Sequence, residues 1–368
     1  MCFQTDSDRF DPMTLDELRA EINRLDGELV ELLNRRAQVV VEIGKIKAVD
    51  GTPIYAPDRE HAVLEQIHKA NRGPLSDKAL SAIWRELMSA SFALEKPLRI
   101  AYLGPEGSNS HLAATGKFGA SVEYESVSDI RGVFEEVGRE HTDFGVAPIE
   151  NSTGGGIADT IDAFVESQVR INAEINRAIH HNLLAKCGLD EIERVYSKPE
   201  VFSQCQHWLS ETGLAPKCIA VASTSKAAEM AAQEDRAAAI GSTLAAELYG
   251  LRTICANVED NPNNVTRFVV IGRGKTRPTG DDKTALTFTT AHEPGALADV
   301  LTALKECGTN LTFIESRPSK KRNWEYFFFA EAEGHIDEAY MVKAVERARQ
   351  HCLGLHVLGS YPRASEVV

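Results

Sequence analysis

No apolar run reaches the roughly 18 residues that a membrane-spanning helix needs, and the first twenty residues carry acids where a secretion signal would be apolar. Neither a membrane protein nor a secreted one is expected. Positive charge is also scarce: 40 Lys and Arg face 54 Asp and Glu, leaving a formal net charge of -14. Nucleic acid and anionic membrane are poor partners for such a chain, because both demand a positive face. The seven cysteines are odd in number and never spaced C-x-x-C, so no disulfide framework or zinc site is expected, and reduced thiols in a cytoplasmic protein are the simplest reading. The glycine stretch Gly154-Gly155-Gly156 is not followed by Gly-Lys-Ser/Thr, so a nucleotide-binding P-loop is not expected there.

A length of 368 residues suggests two or three domains. Thr14-x-x-Glu17 is a capping box, and Leu15, Leu18, Ile22, Leu25, Leu29, Leu32, Val39, Val40, Ile43 and Ile46 keep helical spacing to about Lys47. Gly51-Thr52-Pro53 interrupts that helix. A second is expected from about Asp58 to Asn71 and a third from Gly73-Pro74 through Trp84 to Glu95, making 1–97 all-helical. From Leu98 to Lys275 short apolar runs alternate with helical patterns, as in an α/β domain. Thr276–Asp282 reads as a linker. The segment 283–368 then runs β-α-β-β-α-β, the order of a ferredoxin-like α+β fold, with its third strand expected over Trp324–Glu331.

Arg36 and Lys47 are eleven residues apart, so on one helix they share a face within about 20° and stand roughly 16 Å apart. Two long cationic side chains can converge from there on a small dianion. Arg19, roughly 25 Å from Arg36, cannot join them from the same helix and would have to come from a partner chain. Ser91 and Glu95 lie i, i+4 on one face of the third helix.

Residues 13–95, with LDELRAEINRLDGELVELLNRR, VEIGKIK and DRE, resemble the all-helical class of chorismate mutase, which is an intertwined helical dimer. The resemblance implies Arg19 of the other protomer, Arg36, Lys47 and Arg59 on the carboxylates and ether oxygen of chorismate, with Glu60 and Ser91 near its hydroxyl. The implied reaction is a pericyclic rearrangement to prephenate that needs no cofactor or metal, and catalysis consists of holding a compact conformer and stabilising charge on the ether oxygen. Glu95 stands where the best-known members have Gln, so it is expected to work protonated, with mutase activity falling as pH rises. Ala56 replaces a commonly acidic residue.

In 98–275 the ordered motifs GPEGS, PIENSTGG, VYSKP with Gln204-Cys205, STS and NVTRF resemble prephenate dehydratase, whose fold has two α/β lobes like those of periplasmic binding proteins. The implied site is Asn151, Gln204, Thr266 and Arg267, with Ser108, Ser110, Glu150, Ser152, Thr224, Ser225 and Phe268 lining a cleft. Prephenate loses its ring hydroxyl and carbon dioxide together, and the resemblance implies Thr266 on the leaving oxygen and Arg267 on a carboxylate. Lys198 stands where many members have His, and Ser108-Asn109 where Thr-Phe is usual. His180-His181 lacks a third metal ligand and is read as structural or solvated.

Gly295-Ala296-Leu297 and Glu315-Ser316-Arg317-Pro318 resemble the phenylalanine-binding motifs of the ACT domain in these dehydratases, with Asn310 and Leu311 as further neighbours of the amino acid. The expected whole is a homodimer through the helical segment, with a further interface where ACT domains pair around inhibitory phenylalanine. Two alternatives keep the same motifs: a ligand-sensing regulator without catalysis, and a dehydratase acting on arogenate.

Overall fold

A computed structural model describes residues 14–319, 326–364 and 367; Trp324, the expected start of one strand, lies outside them. The chain forms two compact units. One holds α1 (Leu15–Asp50), the turn to Ile54, and Leu94–Lys96. The capping box closes as the sequence predicts: Thr14 Oγ1 accepts from the Glu17 backbone N–H at 3.3 Å, and Glu17 accepts from the Thr14 backbone N–H at 2.7 Å. Gly51, at φ 67, ends the helix in the left-handed conformation that glycine adopts without strain. Along α1 the apolar stripe is exposed: Ile22 is 57%, Leu29 53% and Ile46 62% accessible.

The other unit holds α2 (Pro57–Ala70), the body of α3 (Asp77–Glu95) and everything from Pro97 onward. Pro57 at the first turn of α2 suits a position whose N–H has no helical partner. Just before it, Tyr55 packs its ring against Phe92, Phe118 and Phe144 at 5.8, 5.0 and 5.1 Å.

The α/β region runs β1 (Arg99–Leu103), α4 (Asn109–Phe118), β2 (Glu123–Val127), α5 (Ile130–Gly138), β3 (Phe144–Asn151), β4 (Gly155–Gly156), α6 (Ala158–Glu166) and β5 (Arg170–Ala178). It continues through β6 (Asn182–Ala185), β7 (Arg194–Ser197), α7 (Pro199–Gln204), α8 (Gln206–Glu211), β8 (Cys218–Ala220), α9 (Thr224–Gln233), β9 (Ala237–Gly241), α10 (Thr243–Tyr249), β10 (Arg252–Cys255) and β11 (Val265–Gly272). Two sheets result, ordered β2-β1-β3-β11-β5, with β4 on β3, and β10-β6-β9-β7-β8. They are the cores of two lobes.

The chain passes between the lobes twice, after β5 and before β11. The two crossings lie side by side, the Ile179 N–H donating to Asn264 O and the Val258 N–H to His181 O, both at 2.8 Å.

The last region comprises β12 (Asp282–Thr289), α11 (Ala296–Glu306), β13 (Leu311–Pro318), β14 (Tyr326–Glu333), α12 (Ala339–Arg349) and β15 (Gly354–Pro362). Its antiparallel order, β13-β14-β12-β15, is that of the expected ferredoxin-like fold. One face of this sheet, with Leu286, Phe288 and Ala330, packs on Val300 and Leu304 of α11 and Met341 and Val345 of α12. The opposite face contributes Ala285, Phe327, Phe329 and Tyr361 to a core that also holds Ile149, Phe164, Val269 and Ile271 of the first lobe. Tertiary packing thus makes a shared core of two segments that the sequence divides. The expected linker is docked as well, with Thr276 and Asp282 buried and the Thr279 N–H donating to the Asp282 carboxylate at 2.7 Å.

Candidate active site

Thr266 and Asn151 face each other across the β11–β3 ladder, and Arg267 is the partner of Glu150 one step along. Side chains alternate faces along a strand, so adjacent residues point to opposite sides of the sheet. On one side Asn151 Nδ2 donates to Thr266 Oγ1 at 2.9 Å. That bond occupies the threonine oxygen as an acceptor and leaves its own O–H for another partner. Asn151 Oδ1 accepts from the Thr153 and Gly154 backbone N–H groups at 3.0 and 3.1 Å, which fixes the amide.

Arg267 and Glu150 turn the other way, correcting the expectation that they line the same cleft. The Arg267 guanidinium donates to Glu150 at 2.9 Å, Glu174 at 3.3 Å and Glu331 at 2.7 Å. Lys283 Nζ meets the same Glu174 at 2.8 Å, and Tyr361 donates to Glu331 at 2.8 Å. Burial opposes the Arg267 charge, and the fields of Glu331, Tyr361 and Glu174 outweigh it, leaving the group more firmly protonated than a solvated arginine. These carboxylates compensate Arg267 within the shared core. Phe268, expected on the substrate, is 1% exposed and belongs to the interior.

Gln204 ends α7 on the second lobe and reaches toward Asn151. Its Nε2 donates to Thr153 Oγ1 at 3.4 Å, and its Oε1 accepts from Asn264 Nδ2 at 3.4 Å and lies 2.7 Å from His181 Nε2. Asn264 Oδ1 in turn accepts from Asn151 Nδ2 at 2.9 Å. Neither His181 nor Asn264 is among the residues the motifs single out, although Asn264 opens the NVTRF segment and could have been noticed there.

Of the other expected lining residues, Ser108 and Ser152 are held in structural hydrogen bonds. Ser108 caps α4, accepting from the His111 N–H at 3.2 Å and donating to Leu103 O at 2.9 Å. Ser152 Oγ accepts from the Val265 N–H at 3.0 Å and ties two loops together. Ser110 and Ser225 are buried, and among the described residues Ser225 Oγ has no hydrogen-bond partner. Thr224 begins α9 after the Ser223 cap.

Within the α1 unit Lys47 Nζ stands 2.9 Å from a Glu95 oxygen and donates to Ile54 O at 3.0 Å. Glu95, which the sequence led one to expect protonated through burial, therefore has a cationic partner. Arg36 is half-buried, and Arg19 is exposed beside Asp16 at 3.6 Å. In the other unit Glu60 accepts from Tyr55 OH at 2.9 Å and Lys117 Nζ at 2.7 Å, Arg59 is exposed, and Ser91 donates to its own helix at Leu87 O, 2.7 Å.

In the ferredoxin-like region Gly295, Ala296, Leu297 and Ser316 line a cavity of about 830 Å³ together with His292, Tyr326 and Phe328. Asn310, Leu311, Glu315, Arg317 and Pro318 do not line it. Strand alternation is the reason for the split at Glu315-Ser316-Arg317: Arg317 pairs with Asp162 of α6 at 3.1 Å, Glu315 abuts Gly156, and Ser316 between them faces away. Among the described residues no three His, Cys, Asp or Glu side chains are placed to hold a metal ion, and no helix is long and apolar enough to cross a membrane.

A helical segment, a two-lobed α/β segment with an Asn-Thr pair where the lobes meet, and a ferredoxin-like segment sharing its core together define a multidomain enzyme with an appended sensor. Comparison with known families makes this specific. Chorismate mutase type II matches residues 18–96, prephenate dehydratase residues 100–276 and the ACT domain residues 284–350. The bifunctional chorismate mutase/prephenate dehydratase of Aquifex aeolicus is 42% identical over 355 residues, covering 95% of this chain and 98% of its own length. Its counterpart in Escherichia coli K12 is 31% identical over 381 residues, with 95% and 96% covered. Among solved structures, the prephenate dehydratase of Arthrobacter aurescens in complex with L-Phe is 31% identical with a TM-score of 0.68, over 73% of this chain and 90% of that one. The chain belongs to the family of bifunctional chorismate mutase/prephenate dehydratases.

Proposed function

We propose that this chain rearranges chorismate to prephenate and then converts prephenate to phenylpyruvate, with phenylalanine as its inhibitor. The observation that carries the second reaction is the Asn151–Thr266 hydrogen bond. With its oxygen held by Asn151, Thr266 directs its O–H at the leaving hydroxyl of prephenate. The ring carboxylate departs as carbon dioxide, its bonding pair completes the aromatic ring, and the C–O bond breaks toward an oxygen that leaves as water once protonated. Aromatisation supplies the driving force; the hydrogen bond lowers the cost of the departing charge.

For the first reaction Arg36, Lys47 and Glu95 act with Arg19 of a second copy, Arg59, Glu60 and Ser91, as the family resemblance implies. The exposed apolar stripe of α1 supports the pairing, because so much apolar surface on one helix is ordinarily covered by a partner. The cavity beside Gly295 and Ser316 receives phenylalanine, and paired ACT domains enclose it.

Purified protein given chorismate is the test, with chorismate, prephenate and phenylpyruvate followed with and without phenylalanine. The expected result is phenylpyruvate formation that phenylalanine suppresses. Thr266→Ala should stop at prephenate, its dehydratase turnover lower by about a hundredfold or more; near-normal turnover removes Thr266 from the mechanism.

A further inference from the structure

Four side chains where the lobes meet form a closed ring of hydrogen bonds running in one sense. Asn151 Nδ2 donates to Asn264 Oδ1, Asn264 Nδ2 to Gln204 Oε1, Gln204 Nε2 to Thr153 Oγ1, and Thr153 Oγ1 to Asn151 Oδ1 at 2.9, 3.4, 3.4 and 2.5 Å. An amide can be turned end for end, so something must fix the sense. On the first lobe the Thr153 and Gly154 backbone N–H groups do so, since they can only donate and therefore hold Asn151 Oδ1 toward them. The remaining Asn151 amide nitrogen must then face an oxygen of Asn264, and Asn264 must offer its own nitrogen to Gln204. On the second lobe His181 Nε2 stands 2.7 Å from the same Gln204 oxygen. With its proton on Nε2 the imidazole pins Gln204 Oε1 from behind and turns the amide nitrogen toward Thr153.

Burial divides the members by task. Asn151, Gln204 and Thr266 are half-buried and can meet a ligand, whereas His181 is 4% and Asn264 3% exposed. Both buried residues sit on the chain crossings between the lobes, where one side chain can influence groups from each. We propose that His181 and Asn264 are positioning residues for the dehydration. His181 sets the orientation of Gln204, and Asn264, which accepts from Asn151 and donates to Gln204, ties Gln204 to the amide that holds the Thr266 hydroxyl. The assignment rests on the reading of Asn151, Gln204 and Thr266 as the dehydratase site.

Removing His181 leaves Gln204 Oε1 with only the longer bond from Asn264 and frees the amide to turn. His181→Ala should lower kcat for prephenate by about tenfold to a hundredfold with KM changed less, and leave mutase turnover within about twofold. His181→Gln, which keeps an N–H donor, should recover most of that loss. In the His181→Ala/Gln204→Ala pair the two losses should not add, because His181 acts through Gln204. Asn264→Ala should behave like His181→Ala. Unfolding temperatures measured on the same proteins separate packing from orientation: a histidine that only fills space lowers the unfolding temperature without the kcat effect, and overturns the proposal. Additive losses in the double variant, or a His181→Gln no better than His181→Ala, overturn it too. Wild-type turnover in Gln204→Ala would refute the underlying site reading and this proposal together, whereas an impaired Gln204→Ala beside an unaffected His181→Ala refutes the proposal alone.

Discussion

The Arg267 guanidinium lies 2.7 Å from the Glu331 carboxylate, so the residue next to Thr266 on β11 is ion-paired to a strand of the ACT domain. Both groups are buried, with side-chain exposures of 10% and 1%. Glu174 links the pair onward to Lys283 at 2.8 Å and, through its second oxygen, to the Ala364 N–H at 2.9 Å. A shift of β14 therefore acts directly on the strand that carries Thr266.

Glu331→Gln tests this connection. The amide keeps the shape and removes the charge, so Arg267 retains Glu150 and Glu174 as partners. Basal dehydratase turnover should stay within a few-fold, while phenylalanine inhibition weakens by about fivefold or more, in line with typical coupling energies. Arg267→Ala is harsher, because it strands three carboxylates near a single remaining lysine; a loss of about 3–5 kcal/mol in denaturant unfolding is expected. An unchanged inhibition curve in Glu331→Gln would show that coupling bypasses this pair.

Much of the fold was legible because its signals are local. The capping box, the helical stripe of α1 and the Gly51 stop mark one helix, and the β-α-β-β-α-β order marks the ACT domain before any packing is known. The site was legible only in part. Thr266-Arg267 and Glu150-Asn151 read as adjacent residues of two motifs, yet strand alternation sends one of each pair to the lobe junction and the other to the buried ion cluster. Alternation is itself a sequence rule, and applying it would have separated Arg267 from Thr266. What the sequence could not reveal is the far side: Glu331 and Lys283 reach Arg267 and Glu174 across more than sixty positions of chain, through packing alone. His181 escaped for the same reason, whereas Asn264 stands at the head of NVTRF and was open to notice.

His181 also sets a pH dependence of stability. Burial holds its pKa below the ordinary histidine value, against the opposing influence of Gln204 and of Glu259, with neighbouring His180 adding to the depression. Glu259 accepts from the His181 backbone N–H at 2.8 Å and pairs with His180 Nδ1 at 2.8 Å. A depressed folded-state pKa means that the stabilising contribution is complete above the unfolded value of about 6.5. It is lost as pH falls toward the folded value, because the unfolded chain takes up the proton first. Unfolding temperature should therefore drop more steeply between about pH 7.5 and about pH 5.5 in the wild type than in His181→Gln, which cannot titrate. His111, also depressed by burial, contributes equally to both proteins and cancels. Parallel slopes would show that His181 titrates alike in the folded and unfolded chain.

The exposed face of α1 gives the most direct test of subunit pairing. Leu25 and Leu29, 48% and 53% accessible, stand one turn apart in the middle of the stripe. Burying a leucine fully against a second copy stabilises by about 1.5–3 kcal/mol, and a symmetric pair of helices counts each position twice. Leu25→Glu with Leu29→Glu keeps strong helix formers and places carboxylates where apolar contact is required. Sedimentation should then show a smaller assembly than the wild type forms at the same concentration, since only the ACT interface is left. Mutase turnover should fall by about a hundredfold or more, because Arg19 stands too far along the helix to serve its own Arg36 and Lys47. Dehydratase turnover should persist, since Asn151, Gln204, Thr266 and their supporting ring all come from one chain. A variant that sediments like the wild type would remove α1 as the pairing surface, and a smaller assembly with full mutase activity would remove Arg19 as a residue shared between subunits.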